Sequence, residues 1–387
     1  MGQVNSKELP LAECRNGDMA IEVAACDATV PDGHLLMAGE KIHTLFLKVS
    51  ALVLPLFIVL IFYLFSDPFK VIYHYKSFYP SFVVLNRDFV STETFLHNNP
   101  HFHYDSFILG NSRSIFYEVG DWQKYISSTK CFHFDASAET LFGIYSKIKF
   151  LDANNVPLKN VLIIMDYGTL IDTYDSKGHL FIKHPLVSGK PWYAFHLEFV
   201  KAFFDLKFLI AYTDLSVSKR IKNYMVADCL LDDRPTEYNA AANEIKLAEF
   251  ERIIKNNPTD YYLPRKDVFY ERSAVQIYSP MAIRSEQDRM LREIKNIFMK
   301  NKTDYRIIVN PLYDQTKLNS SDLAYLIKVF GSDNVFDFSG INDITKNRYN
   351  YYEASHYRPH VARLILSDIY RNITQRERLV RSVQGEF

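Results

Sequence analysis

Residues 104–114 read YDSFILGNSRS, and this stretch decides the fold. Ser106 to Leu109 is a short, largely apolar run that stops at Gly110 and Asn111, the pattern of a strand buried on both faces. A helical pattern begins at once with Ser112, Arg113 and Ser114. Outward from this stretch the same kind of run recurs at Cys131–Phe134, Val161–Met165, Tyr305–Val309 and Val335–Phe338. Helical patterns lie between and after the runs: Glu139–Leu151, with Leu141, Ile144, Tyr145 and Ile148 on one face, then Asn243–Ile254, Glu286–Met299 and Val361–Ile373. The alternation predicts an α/β domain of three layers, with a mainly parallel five-stranded sheet, right-handed crossovers and helices on both faces. Ligands of such sheets bind outside the carboxyl ends of the strands, so the residues just after each strand are the first candidates for chemistry. One long insertion, 172–302, interrupts the order. Its aromatic and helical segments, such as Trp192–Ile210, suit a cap over the site or a membrane-proximal subdomain.

Upstream of the domain, Val49 to Phe65 reads VSALVLPLFIVLIFYLF, seventeen uncharged residues, with Leu45 to Leu47 as an apolar lead-in. That length is at the short end of what crosses a bilayer core, and Pro55 is tolerable inside a membrane helix. No small-x-small cleavage pattern follows Phe65, so residues 45–66 read as a signal anchor, holding the chain to a lipid bilayer. Lys41 and Lys48 before the anchor balance Lys70 and Lys76 after it, so charge barely decides the orientation. A large domain after a single amino-terminal anchor is expected to face outward, which gives a single-pass protein of the cell (inner) membrane with an extracytoplasmic main domain. The expected organisation is a polar, disordered tail over 1–42, the anchor, a membrane-proximal connector over 67–103, the α/β domain over 104–376 and a tail over 377–387. Met37 is an alternative start.

Composition narrows the function classes. Of 387 residues, 45 are Lys or Arg and 45 are Asp or Glu, and this balance argues against nucleic acid as a partner. A hydrophobic content of 48% with 15% aromatic residues excludes a disordered chain. Four cysteines rule out a disulfide-framework scaffold; on the outward-facing reading Cys131 and Cys229 would meet an oxidising compartment. Only one segment is apolar enough to span, which excludes a polytopic transporter.

Two stretches carry candidate chemistry. Ser112 sits at a strand-to-helix junction, where its hydroxyl leaves the sheet edge and backbone N–H groups of the helix start can face a developing oxyanion. It can equally cap that helix. At the far end, Tyr351–His360 reads YYEASHYRPH and places Glu353 three residues before His356. A neutral imidazole can take a Ser proton and return it to a leaving group, and a carboxylate on its other nitrogen fixes the tautomer. His356 and His360 are also spaced like metal ligands, but no second ligand cluster accompanies them, so no metal and no cofactor is expected.

A Gly-x-Ser at the end of an early strand, with acid-x-x-His before the last helix, resembles the SGNH/GDSL hydrolase superfamily and its flavodoxin-like three-layer fold. Gly110-Asn111-Ser112 stands where that family has Gly-Asp-Ser, and Glu353-x-x-His356 where it has Asp-x-x-His. The resemblance implies Ser112 as nucleophile, His356 as general base and Glu353 as the acid that orients it. The family takes oxyanion donors from a Gly after the second strand and an Asn after the third. This chain has Asp135-Ala136-Ser137-Ala138 and Asp166-Tyr167-Gly168 there, so Ser137 and Gly168 are the candidate donors beside Asn111 and Ser112 itself. Asp166 is placed either to act in the site or to cap a loop. Arg113 and Arg358 sit beside the proposed catalytic residues, as anion clamps or as structural ion-pair partners. Asn310 and Asp337 also fall in the expected cleft zone.

An anchor followed by an SGNH-like domain is similar in layout to envelope proteins of alginate O-acetylation and teichoic-acid D-alanylation. That resemblance implies a serine esterase or O-acyltransferase acting on a glycan or other acyl ester, with a multipass membrane acyltransferase as a partner. The alternative is a catalytically inactive member of the fold that serves as scaffold or binding partner in envelope polysaccharide modification or export.

Overall fold

The computed structural model describes residues 32–226, 231–232 and 237–370, with side chains from residue 43. The expected disordered tail lies outside the described residues up to 31, as do Cys229 and the tail at 377–387. Residues 32–40, read from sequence as part of that tail, are instead the first turns of a helix, Asp32–Ser66. Its apolar part, His43–Ser66, is 24 residues long with a mean hydropathy of 2.7, which is long and apolar enough to cross a membrane. The chain divides into two compact units, Met1–Ile61 and Phe62–Phe387.

In the second unit a sheet of five parallel strands forms the middle layer. They are β1 (Ser106–Gly110), β2 (Cys131–His133) and β3 (Asn160–Met165), then, after the hairpin β4–β5 (Glu237–Asn239 and Glu244–Lys246), β6 (Asp304–Val309) and β7 (Val335–Asp337). Their order across the sheet is β2-β1-β3-β6-β7. All four pairings are parallel, so the sheet is wholly rather than mainly parallel. Each central strand feeds two cores. Phe107, Leu109, Val161, Ile163, Met165, Ile307 and Val309 pack against the helices Leu141–Ala153 and Ser285–Asn301. The alternate residues Ile108, Leu162, Ile164 and Ile308 pack on the other face with Trp122, Val361, Ile365 and Ile369. This two-sided burial is why the strands read as continuous apolar runs rather than as alternating ones.

One sequence reading changes and two gain detail. Asn243–Ile254 is not one helix: Glu244–Lys246 pairs antiparallel with Glu237–Asn239, and the helix is Ala248–Asn256. Asn243 leaves the helical pattern because its side chain donates to the carbonyl of His133 at 2.6 Å, tying the hairpin to β2. The segment Trp192–Ile210 is two helices, Trp192–Phe203 and Leu206–Ser218, the second capped by Asp205. The connector 67–103 has structure of its own. It holds a helix, Arg87–Phe102, whose Arg87 and Asp88 are buried, and it belongs to the same compact unit as the sheet.

Candidate active site

Strand β1 delivers Ser112 to the carboxyl edge of the sheet next to β3, where the strand order reverses. Gly110 is required there, because a Cβ on it would lie 2.6 Å from the carbonyl oxygen of Ile164. Asn111 then turns the chain: its Oδ1 accepts from the N–H of Arg113 at 3.1 Å and starts a short 3-10 helix, Ser112–Phe116. Ser112 is thus the first residue of the turn, so its own N–H has no acceptor within that helix.

The acid-x-x-His stretch is a two-stranded hairpin, β8 (Tyr351–Glu353) and β9 (His356–Tyr357), in which Glu353 pairs directly with His356. This tight turn leads into the last helix, over 359–370. It places the Ser112 Oγ 2.7 Å from the His356 Nε2. His356 Nδ1 is hydrogen-bonded to Glu353 Oε1, and Glu353 Oε2 accepts from the N–H of Ser355 at 2.5 Å. The imidazole leans edge-on to Phe116, with ring centroids 5.9 Å apart. Burial pushes the Glu353 carboxyl up, but the His356 bond and charge, the Ser355 N–H and the Arg113 charge outweigh it and leave its pKa lowered. The extra methylene of Glu over Asp does not prevent alignment with the histidine.

Ser112, His356 and Glu353 open on a cavity of 270 Å³, walled also by Ser137, Arg87, Asp135, Tyr79, Phe116, Phe250 and Tyr352. The other sequence candidates divide. Ser137 lines the cavity. Among the described residues of that wall, Asn111, Arg113, Gly168 and Arg358 do not appear. Asn111 is buried and donates to Asp166 Oδ2 at 2.9 Å. Arg113 makes an ion pair with the same oxygen at 2.9 Å and donates to the carbonyl of Ser355 at 2.8 Å. Gly168 lies in the helix Tyr167–Ile171, which Asp166 caps in a reciprocal capping box with Thr169. Arg358 grips Glu251 with two bonds of 2.8 Å. Both arginines are therefore ion-pair partners inside the protein. Asn310 donates to Asp166 Oδ2 at 3.2 Å and accepts from Tyr357, whereas Asp337 pairs with Lys317 at 2.6 Å.

Asp166 thus gathers Asn111, Arg113 and Asn310 behind the site. Cys131 carries a free, buried thiol, pushed up to about 11 by burial and unsuited to nucleophilic attack. Arg87 and Tyr79 escaped the sequence reading. Neither lies after a strand, and both belong to a stretch that carries no motif. No protein-family model matches this chain, and no curated protein is similar to it in sequence.

Proposed function

We propose that this protein is a membrane-anchored serine esterase or O-acyltransferase that forms an acyl-enzyme on Ser112, acting on an acylated envelope glycan or a similar ester. The observation that carries this reading is the 2.7 Å contact of Ser112 Oγ with His356 Nε2, with Glu353 on the far nitrogen of the same ring. His356 Nε2 takes the hydroxyl proton as Oγ attacks the acyl carbonyl, and the tetrahedral oxyanion faces the N–H groups of Ser112 and of the Ser137 turn. Glu353 accepts from Nδ1–H and stabilises the imidazolium. Collapse breaks the ester C–O bond, the Nε2 proton goes to the leaving alkoxide, and the acyl group stays on Oγ. Water or a sugar hydroxyl then attacks the acyl carbon and gives its proton to His356 Nε2; the acyl C–Oγ bond breaks, and that proton passes to Oγ to restore Ser112.

The helix His43–Ser66 supports anchoring in a membrane. An extracytoplasmic main domain and a multipass acyltransferase partner complete the proposal. The test is a fluorophosphonate probe on the detergent-solubilised protein. Labelling of wild type but not of Ser112→Ala supports the chemistry; folded wild type that takes up no probe sinks it. In that event the inactive scaffold is the reading to adopt, and one feature favours it: Asp166, at the position of the family's third-strand Asn, has its oxygens engaged by Arg113, Asn111 and Thr169.

A further inference from the structure

The helix Leu206–Ser218 is apolar on two opposite faces. Phe208, Ala211 and Leu215 are buried on one of them. Leu206, Ile210, Thr213 and Val217 fall at i, i+4, i+7 and i+11 and form a stripe on the other. That second stripe is bare: Leu206, Ile210 and Val217 are 71%, 60% and 81% exposed. A surface helix ordinarily turns a polar face outward, and a helix apolar all round sits in a protein core or in lipid. An outward row of aliphatic side chains therefore marks a face that meets something apolar.

The neighbours of this helix say what it meets. Phe62–Ser66 is the end of the apolar segment His43–Ser66 and belongs to the same compact unit as the helix. Phe62 packs on Tyr212 and Phe203, with ring centroids 5.8 and 5.9 Å apart, and Tyr63 packs on Phe203 at 5.0 Å. The 24-residue segment is about 36 Å long and a bilayer's acyl core about 30 Å thick, so a centred span leaves Phe62 and Tyr63 at the edge of that core. Tyr212 touches that edge, and Ile210 is two residues from it, about 3 Å of helix rise. The middle of the bare stripe is thus close to the acyl-chain boundary whatever the tilt of the helix. Charge agrees. Residues 205–222 hold Lys207, Lys219, Arg220 and Lys222 against Asp205 and Asp214, a basic excess in a chain that balances overall. Basic residues beside an apolar face suit the phosphates of lipid headgroups.

We propose that the face formed by Leu206, Ile210 and Val217 lies in the interface of the bilayer that His43–Ser66 crosses, so that the α/β unit meets the membrane at a second place besides its span. The partner is lipid. The tops of the acyl chains take the three aliphatic side chains, and Lys219 and Arg220 reach headgroup phosphates. A single spanning helix leaves the domain after it free to swivel, and a second contact holds that domain at one tilt. This rests on the reading of His43–Ser66 as a span and is independent of the chemistry at Ser112.

The test uses the full-length chain reconstituted in vesicles of phosphatidylcholine and phosphatidylglycerol. Ile210→Trp and Val217→Trp place a reporter on the face, and Leu364→Trp, at an exposed position of the last helix, is the control. Emission of wild type, which comes from Trp122 and Trp192, is subtracted. An interfacial helix sits about 5–10 Å into the headgroup–acyl boundary, so phosphatidylcholine brominated near the top of its chains should cut the added emission at 210 and 217 about twofold. Iodide in the water should quench these two positions far less than 364. Equal quenching by iodide at all three, with no effect of bromine at 210 and 217, overturns the proposal. Protection from iodide without quenching by bromine also overturns it, because a second copy of the chain then covers the face. Should one of the two variants fail to fold, the other decides. An alkaline carbonate wash tells the two possible failures apart. A chain stripped from the vesicles overturns the span and the proposal with it, whereas a chain retained, with 210 and 217 open to iodide, overturns the proposal alone.

Discussion

Arg113 Nε donates to the carbonyl of Ser355 at 2.8 Å, and its Nη1 is 2.9 Å from Asp166 Oδ2. One guanidinium therefore fastens the turn between Glu353 and His356 to the end of β3, beside the turn that carries Ser112. Holding reacting groups to within an ångström is worth about 100-fold in rate. Arg113→Ala is accordingly expected to lower kcat about 10- to 100-fold with little change in KM. The Arg113 charge also helps to hold the Glu353 carboxyl down, so its removal should raise the pH at which activity is lost on the acid side. Arg113→Lys should keep that acid limb but not full kcat. Ester turnover measured against pH separates the two effects, and an unchanged kcat in both variants would dismiss Arg113 as a positioning residue.

Asp166 anchors this arrangement. It is 3% exposed, with Asn111, Arg113 and Asn310 on one oxygen and the N–H of Thr169 on the other. Removing one partner of a buried ion pair costs about 3–5 kcal/mol, less here because the Arg113 side chain is 22% exposed and water can reach it. Asp166→Ala is expected to lose about 2–3 kcal/mol in urea unfolding, combining a lost cap with orphaned donors. A loss below about 0.5 kcal/mol, the size of an ordinary surface change, would show that the hub carries no stability.

The sheet was legible because its strands are buried on both faces, and the hydroxyl–imidazole pair was legible because each partner follows a strand or precedes a helix in a recognisable spacing. The connector was not. Asn86-Arg87-Asp88 looks like a solvated helix start, yet Asp88 is 1% exposed and forms an ion pair with Lys147 at 3.0 Å, which also pairs with Glu139 at 2.6 Å. Charges neutralised by residues some sixty positions away leave no local trace in hydrophobic periodicity. The same holds for Arg113. The sequence leaves it open as an anion clamp or an ion-pair partner, because its partners, Asp166 and Ser355, are brought to it only by the fold.

Gly110 tests whether close packing sets the Ser112 turn. A Cβ there meets backbone, the Ile164 carbonyl oxygen at 2.6 Å, with the Ile164 Cβ at 2.9 Å, and neither can swing aside as a side-chain end would. Overpacking of this kind costs about 1–3 kcal/mol. Gly110→Ala should lower the unfolding free energy by that amount and, in the protein that stays folded, slow probe uptake at Ser112. Normal stability with normal labelling would mean that β1 and β3 can separate at no cost.

Glu353 gives the clearest pH signature. Its folded pKa lies below the ordinary carboxylate value because the His356, Ser355 and Arg113 interactions outweigh burial. A group lowered on folding contributes stability above its unfolded pKa, near 4.3, and that contribution is lost as pH falls through the lower, folded value. Wild type should therefore be more stable than Glu353→Gln at pH 6 to 7, and the gap should close toward pH 3, as followed by thermal unfolding. Glutamine presents either an acceptor or a donor to Nδ1 but no charge, so the imidazolium that the proposed attack by Ser112 requires would lose its counter-ion. Loss of the corresponding acid in a Ser-His-Asp triad costs about 10⁴-fold in kcat, and the side chain of Glu353, 34% exposed, is better solvated than such an acid. A fall of about 10²- to 10³-fold is expected for Glu353→Gln, with KM nearly unchanged. Turnover within about threefold of wild type would remove Glu353 from the catalytic group and leave His356 to be oriented by something else.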